Sequence, residues 1–390
     1  MTPAAERASR AAPPPSGHGR LATSFARGYR NRNPLVLLAA LTLLVVALLG
    51  VDSVFTSGAW SDVAVGHWLR MPLDDFVYVS WVVGGAKDDP PDTPAVYILG
   101  GSSARESIVS DASLEKAIAA AGGPETTVFD IGSNNQNFAQ SLAVIDNVPD
   151  SPATAIVGIN LNRFYASRAD NEKQAEGREL LLESSALREY VTDESGNHRF
   201  TFTILPGIFS WATTYAQQHK DELLSGELPY VTYKQHRYTK RRNHSVAEKE
   251  EMVREWLTGR ASVYHRWLDY NTDMLEQLLR RARERGVDVV LMELPLNLEI
   301  VGDAWDEDLR AYRLRVRRLA REYGVPYVDF NEELRIPNED FHDIDHLVEP
   351  GRVIWEDRLA EELARLLPKR ETAGSGDAAG AAGTEATTAP

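Results

Sequence analysis

The chain has 390 residues, contains no cysteine and carries a formal net charge of −15 at pH 7. The absence of cysteine excludes disulfides, thiol nucleophiles and cysteine-ligated metal sites. An acidic chain also argues against nucleic acid as a partner, because phosphate binding requires clustered lysine and arginine. One basic run, KQHRYTKRRNH at 234–244, departs from this balance, and we interpret it either as a solvated loop or as a contact for an anionic polymer or lipid headgroup.

The first segment, residues 1–33, is rich in alanine, proline, glycine, serine and arginine, and carries six arginines against one glutamate. This composition predicts a disordered, basic cytoplasmic tail. Residues 34–55 are predicted to be a transmembrane signal anchor, because the uncharged run from Asn33 to Val51 would, as a helix, span roughly the 30 Å hydrocarbon core. Since the arginines precede this run, the positive-inside rule places the N-terminus in the cytoplasm and the rest of the chain outside the membrane. The alternative is a buried core helix.

Residues 56–93 are predicted to be an extracytoplasmic connector, and residues 94–368 the folded domain. In this domain short β-branched runs alternate with helical patterns, which is typical of an α/β fold with a parallel sheet and helices on both faces. The predicted strands are AVYIL (95–99), TTVFDI (126–131), TAIVGIN (154–160), VDVVLMEL (287–294) and PYVDF (326–330).

The gap between the third and fourth predicted strands is too long for one crossover. We predict a mostly helical insertion at about 163–260 that covers the site, because long insertions in compact domains are usually functional lids or mobile segments. Residues 350–367 are predicted to close the domain as a helix, since Pro350 suits a helix start. The low-complexity end, 369–390, is predicted to be a disordered tail.

Residues with nucleophilic and acid–base chemistry stand at or near the ends of the predicted strands, where the working residues of parallel sheets gather. The first strand ends in Gly-Gly-Ser-Ser at 100–103. A serine hydroxyl needs a neighbouring base to act as a nucleophile at neutral pH, and that base needs a group that holds its ring and tautomer. His346 is the candidate base and Asp343, about one turn earlier, is the candidate orienting acid. Asp345 is the alternative for this second role.

Acyl transfer also places negative charge on a carbonyl oxygen, and that charge needs preplaced hydrogen-bond donors. Gly132, after the second strand, can offer a bare backbone N–H, because glycine allows close approach to the backbone. Asn160, at the end of the third strand, can offer its side-chain amide, and Ser102 its own N–H. Gly132 and Asn160 are therefore the predicted oxyanion-hole residues.

The blocks GGSS, DIG, GIN and DIDHL supply Ser, Gly, Asn and His in that order along the chain. In this order they resemble the four blocks of the SGNH (GDSL-like) hydrolase superfamily. Matching GGSSARE to related members makes Ser102 the nucleophile, with Ser103 as the alternative. The resemblance implies that Asp343 and His346 complete the catalytic set. It also implies a three-layer, flavodoxin-like parallel sheet with a helical insertion.

The sequence departs from the family pattern at three positions. Gly101 stands where Asp is common, and Asp130 stands where the second block often has Asn. Leu161 stands where the third block often has Asp, and Asn162 is a possible substitute donor. The fourth block, D-x-x-H-L, matches fully.

The resemblance implies a serine esterase or O-acyltransferase that works through an acyl-serine intermediate, with no cofactor and no metal. Membrane-anchored chains with these blocks resemble envelope O-acylation and D-alanyl-transfer proteins, which often act beside a multi-span membrane O-acyltransferase. We therefore expect an acylated envelope glycan or lipid as substrate and such an acyltransferase as a possible partner. The alternative is a non-catalytic scaffold or binding subunit of an envelope-modification complex.

Three further polar residues have structural as well as functional interpretations. We interpret His342 as a surface or packing residue, with the role of base as its alternative. Arg105 is interpreted as a local cap or ion-pair partner, with substrate binding as its alternative. Asn297, which follows the fourth strand, is interpreted as a turn residue or as part of the pocket wall. The remaining histidines have no H-x-x-x-H spacing, so the sequence predicts no metal site.

Overall fold

A computed structural model gives the structure of the protein. It describes residues 34–56, 75–175, 180, 182–195, 224 and 240–368. Both predicted tails, 1–33 and 369–390, and most of the basic run at 234–244 lie outside the described residues.

Five parallel strands form the central sheet, in the order β2-β1-β3-β4-β5. The strands are β1 Ala95–Leu99, β2 Thr127–Asp130, β3 Ala153–Ile159, β4 Asp288–Glu293 and β5 Tyr327–Val328. Strands β1 and β3 are buried along their whole length, which explains why they are continuous apolar runs rather than alternating ones. The predicted α/β fold with a parallel sheet is confirmed, and this strand order is that of a flavodoxin-like fold.

The helices connect these strands and extend the fold at both ends. They are α1 Pro34–Thr56, α2 Asp75–Asp88, α3 Ser102–Arg105, α4 Asp111–Ala120, α5 Phe138–Asn147, α6 Arg168–Ala175, α7 Ser185–Ser195, α8 Val246–Glu255, α9 Ala261–Glu284, α10 Leu298–Val301, α11 Asp306–Tyr323, α12 Asn331–Leu334 and α13 Glu349–Leu366. A π-helical turn, Trp256–Arg260, joins α8 to α9. The described parts of the predicted insertion are mostly helical, and residues 176–179, 181, 196–223 and 225–239 lie outside the description.

Two hydrophobic cores lie on opposite faces of the sheet, because successive strand side chains point to opposite sides. On one face Ala95, Tyr97 and Leu99 of β1 pack with residues of α2, α5, α9 and α11. On the other face Val96 and Ile98 pack with residues of α3, α4 and α13. The domain therefore has three layers, with helices covering both faces.

The predicted connector, 56–93, contains a helix that belongs to the folded domain. Val79 and Val83 of α2 are fully buried in the core that covers one face of the sheet. Because these side chains remove apolar surface from water, this part of the segment contributes to the core rather than only linking two parts of the chain.

The N-terminal helix α1 has 23 residues and no acidic or basic residue in its first or last turn. The side chains of residues 51–56 at its end lie outside the described residues. Over the residues that the structure describes, no helix is both long enough and apolar enough to cross a membrane.

Two contacts fix the turn that follows β1. Arg352 of α13 donates to Glu106, and both side chains are buried. Glu356, one turn further along α13, accepts a hydrogen bond from the backbone N–H of Val109 at 2.6 Å. The C-terminal helix therefore holds the segment that follows α3, and with it the position of the serines at the start of α3.

Gly132 lies against the backbone of Arg105, which gives a test of how tightly this turn is packed. A Cβ atom at position 132 would lie 2.8 Å from the backbone nitrogen of Arg105, and a backbone atom cannot move aside as a flexible side chain can. We expect Gly132→Ala to lower the free energy of unfolding by about 1–3 kcal/mol in urea denaturation. The matched control is Gly259→Ala, where a Cβ would meet nothing within 4 Å. Equal stability of the two variants would contradict this account of the packing.

Candidate active site

The sequence-predicted serine, histidine and aspartate meet at the carboxyl edge of the sheet. Ser102 opens α3, directly after the two glycines that follow β1. The other two lie in a loop closed by an antiparallel bridge between Phe341 and Leu347. Because parallel strands all point their carboxyl ends the same way, segments far apart in sequence converge here.

These three side chains form a continuous hydrogen-bonded chain. The Oγ atom of Ser102 lies 2.7 Å from Nε2 of His346. The other ring nitrogen, Nδ1, lies 2.9 and 2.8 Å from the two carboxylate oxygens of Asp343. Asp343 Oδ1 also accepts the backbone N–H groups of Asp345 and His346, each at 3.0 Å. The loop backbone thus holds the carboxylate that holds the imidazole.

A second carboxylate faces the same imidazole nitrogen. Oδ1 of Asp345 lies 3.0 Å from Nδ1 of His346. Its other oxygen, Oδ2, accepts a hydrogen bond from the Ser103 hydroxyl at 2.8 Å. The two neighbouring serines therefore face different groups, Ser102 the histidine and Ser103 an aspartate.

The two predicted oxyanion-hole residues occupy different environments. Asn160 lines the cavity in front of Ser102, and its Nδ2 donates to Asp345 Oδ2 at 3.2 Å. Gly132 is buried beneath Arg105, and its N–H donates to Asp130 Oδ1 at 3.3 Å. The structure thus brings Asn160, but not Gly132, to the described wall of this cavity.

The cavity has a volume of about 360 Å³. It is lined by predicted site residues, among them Ser102, Asn160 and His346, and by residues that the sequence analysis did not single out. These include Asn134, Asn135, Met252, Glu255, Trp256 and Arg260. Their only sequence signals were the Ser-Asn-Asn turn after β2 and the single tryptophan within a charged helical stretch, and neither pattern is specific.

Arg163, three residues after the third block, also lines the cavity although it is only 2% exposed. Its guanidinium stacks over the ring of Phe138 at 4.4 Å and donates from Nη2 to Ser141 Oγ at 2.9 Å. Burial lowers the pKa of Arg163 to about 9, because a charged group in a dry environment loses hydration.

A buried lysine attaches the wall formed by α8 to the loop that carries the histidine. Lys249 is 1% exposed. Its Nζ donates to the carbonyl and side-chain oxygens of Asn338, at 3.0 and 2.8 Å, and to the carbonyl of Phe341 at 2.8 Å. Burial lowers the pKa of Lys249, although Asp343 and Glu299 oppose this effect. All three ammonium hydrogens thus have acceptors in one loop.

The other sequence candidates have supporting contacts. Asn297 donates from Nδ2 to the carbonyl of Asp343 at 3.3 Å and from its backbone N–H to the carbonyl of Ile344 at 2.9 Å. Arg105 is buried and pairs with Glu106 at 3.3 Å. His342 is also buried, and burial lowers its pKa. These positions agree with structural rather than substrate-binding interpretations.

Charge interactions within the loop stabilise an ion pair. Burial disfavours a charged imidazole, but the negative charges of Asp345 and Asp343 outweigh this effect and raise the pKa of His346 well above its usual range. Burial likewise acts against the charge of Asp343, but the charge and hydrogen bond of His346 lower the pKa of that carboxyl. Both shifts act in the direction of an ion pair between the imidazole of His346 and the carboxyl of Asp343.

Ligand-type atoms of Asp343, Asp345 and His346 lie within 4.8 Å of one another, which is close enough for a metal ion. These atoms are already engaged, however. Asp343 accepts two backbone N–H groups, and Asp345 accepts one hydroxyl and two amide groups. We therefore interpret the three residues as a hydrogen-bonded set.

No family model and no curated protein matches this sequence. Among solved structures, the chain is similar to the crystal structure of a "putative acylhydrolase" from Bacteroides fragilis NCTC 9343, at 11% identity and a TM-score of 0.34. The alignment covers 72% of this chain and 90% of that chain. A likeness this distant carries no argument about activity.

The ion pair of His346 predicts how stability changes with pH. A group whose pKa is raised by folding stabilises the protein below its unfolded pKa of about 6.5, and this contribution is lost as pH rises through the folded value. We expect the difference in free energy of unfolding between wild type and His346→Gln to be largest at about pH 6 and to shrink as the pH is raised. Urea titrations across this range measure it.

The control for this experiment is His265→Gln, which removes a half-exposed imidazole that pairs with Asp308 elsewhere in the fold. A difference between wild type and His346→Gln that grew with rising pH would contradict the ion pair described above.

Proposed function

We propose that this protein is a serine hydrolase or acyltransferase of the SGNH type that attacks an ester through Ser102. The observation that supports this most directly is the placement of one imidazole between a hydroxyl and a carboxylate. Its Nε2 lies 2.7 Å from Ser102 Oγ, while Nδ1 faces Asp343 at 2.8 Å. Such an arrangement activates a serine, orients the base and stabilises the imidazolium that forms.

The proposed reaction has two halves. In the first, the neutral imidazole of His346 takes the Ser102 proton on Nε2 as Oγ bonds to the ester carbonyl carbon. Collapse of the tetrahedral intermediate breaks the ester C–O bond, and His346 returns the proton to the leaving alcohol. In the second half, water or an acceptor hydroxyl gives its proton to His346 and bonds to the acyl carbon. The bond to Ser102 Oγ then breaks, and the proton returns to that oxygen.

The oxyanion of each tetrahedral intermediate needs donors beside Ser102. We propose the side-chain amide of Asn160, which already lines the cavity, and the backbone N–H of Ser102. A residue that opens a helix has an N–H group with no acceptor inside that helix. Gly132 has a structural role in this proposal, because its lack of a side chain lets the backbone of Arg105 pack against the segment that follows β2.

We further propose that the substrate is an acylated glycan or lipid of the cell envelope. Support for this comes from the sequence resemblance and from the apolar N-terminal helix, not from the cavity itself. The acyl acceptor, water or a hydroxyl, decides between an esterase and an O-acyltransferase that works with a multi-span membrane partner.

Loss of either catalytic residue should abolish turnover. We expect Ser102→Ala and His346→Ala to lower the rate of ester hydrolysis by about four orders of magnitude or more. A fluorophosphonate probe should label wild type on the peptide that contains Ser102, as detected by mass spectrometry. Ser103→Ala tests the alternative nucleophile and should still be labelled.

Three outcomes of this experiment would contradict parts of the proposal. Labelling that disappears in Ser103→Ala but persists in Ser102→Ala would move the nucleophile to Ser103. Unchanged turnover in His346→Ala would exclude this histidine as the base. A wild type that neither binds the probe nor cleaves any ester in a broad panel would exclude the catalytic proposal and leave a binding subunit of the same fold.

We propose that α1 anchors the protein in the membrane with the α/β domain outside the cytoplasm. Support for this comes from the uncharged run between Asn33 and Val51, the arginines that precede it and the exposure of the large apolar side chains of α1, among them Leu35, Leu38 and Leu43. Transfer of such side chains from water to lipid is favourable.

Fractionation tests this anchor. The full chain should stay with membranes after carbonate washing and be released by detergent, whereas a variant lacking residues 1–56 should appear in the soluble fraction. Protease added outside intact cytoplasmic membranes should digest the α/β domain of the full chain. A carbonate-soluble full chain would contradict the anchor, and a protected domain would contradict its orientation.

A further inference from the structure

The loop between Phe341 and Leu347, called the base loop from here on, contains one carboxylate more than a serine–histidine–aspartate arrangement requires. Asp343 and Asp345 each place an oxygen within 3.0 Å of the same atom, His346 Nδ1. A ring nitrogen can carry only one hydrogen, so both acids face the same single donor position. A second acid at this distance is not needed to fix the tautomer of the ring, since Asp343 alone does so with both oxygens.

The second carboxylate oxygen of Asp345, Oδ2, connects His346 to the rest of the site. Oδ2 accepts hydrogen bonds from Ser103 Oγ at 2.8 Å, from Asn160 Nδ2 at 3.2 Å and from Asn162 Nδ2 at 3.3 Å. The residue is 6% exposed, and burial of a carboxylate is costly unless donors or a cation surround it. The three neutral donors and the nearby ring of His346 fulfil that condition here.

We propose that Asp345 is a positioning residue that acts as a second acid on His346 and, through its other oxygen, holds the amide of Asn160 at the cavity wall. This inference rests on the proposed function, because it assigns His346 the role of base. Its consequence is that one side chain couples proton affinity at the base with the placement of a donor for the oxyanion.

Two negative charges beside one imidazole favour its protonated form. A protonated ring cannot accept the Ser102 proton, so the active form of the site appears only as pH rises. Other charged or titratable groups also face this region. On the base loop they are Asp343 and His342, on α8 they are Lys249 and Glu255, and on the remaining cavity walls they are Arg163 and Arg260. Of these, only Asp343 shares with Asp345 a described contact to the ring nitrogen Nδ1.

The test is a titration of the His346 imidazole in the full chain, in detergent micelles, with histidines labelled at Cε1 and followed by NMR. The signal is assigned by its absence from His346→Gln. We expect wild type to hold an imidazolium at pH 7 and Asp345→Asn to titrate at a lower pH. Asp345→Glu, which keeps the charge, should stay closer to wild type. The matched control is Glu339→Gln, which removes an exposed charge from the preceding turn and should leave the midpoint unchanged.

The same variants give a kinetic measurement with an ester substrate. The acid limb of kcat/KM should move to lower pH in Asp345→Asn, a shift that a merely structural role would not produce. A midpoint equal to that of wild type in Asp345→Asn would overturn the proposal. So would a neutral His346 at pH 7 in wild type, a result that does not depend on any variant folding.

Failure of the two proposals is distinguishable. If Asp345→Asn moves the imidazole titration while wild type shows no esterase activity and no probe labelling, Asp345 acts on His346 as proposed but the site is not a serine hydrolase. If labelling and turnover depend on Ser102 and His346 but the titration midpoint of His346 is the same in Asp345→Asn as in wild type, the serine hydrolase proposal is supported and the inference about Asp345 is wrong.

Discussion

A single hydrogen bond between Ser102 and His346 joins residues that are 244 positions apart in the chain, and separate contacts hold each of its two ends. One end is fixed by β1 and by the contacts of α13 with the segment after α3. The other is fixed by the bridge that closes the base loop. Because a hydrogen bond weakens steeply with small changes of distance and angle, both ends must be rigid.

Buried charges provide much of this rigidity. Lys249 donates three hydrogen bonds into the loop that precedes the base, and Arg352 pairs with Glu106 beside the serine turn. Such groups add little net stability compared with apolar packing, but removal of one partner leaves a charge buried without compensation. Their value lies in geometry, since each has few arrangements in which all its donors are satisfied.

The sequence was sufficient for the sheet, because buried parallel strands are continuous apolar runs that stand out from amphipathic helices. It was also sufficient to bring Ser102, Asp343 and His346 together, since their motifs lie at or near strand ends. It could not show that Gly132 would lie beneath Arg105, because a glycine permits many approaches and only tertiary contacts select one. Likewise Lys249 looked like any lysine of a charged helix, and its burial depends on a loop almost 90 residues later.

The sequence placed Asp345 second to Asp343 as the orienting acid, because side chains of adjacent residues usually diverge. In the structure both acids reach the same nitrogen, since the loop bends tightly between its bridged ends. That bend is a property of the closed loop and not of the D-x-x-H-L pattern. The departure of the third block from the family pattern has a counterpart here, as Asn162 donates to this same carboxylate.

The attachment of α8 to the base loop has a consequence for how the cavity wall can move. Lys249 joins α8, which carries the cavity residue Met252, to the segment that precedes His346. This wall of the cavity and the imidazole are therefore mechanically coupled. A movement of α8 away from the cavity would therefore also displace the imidazole of His346 from the hydroxyl of Ser102.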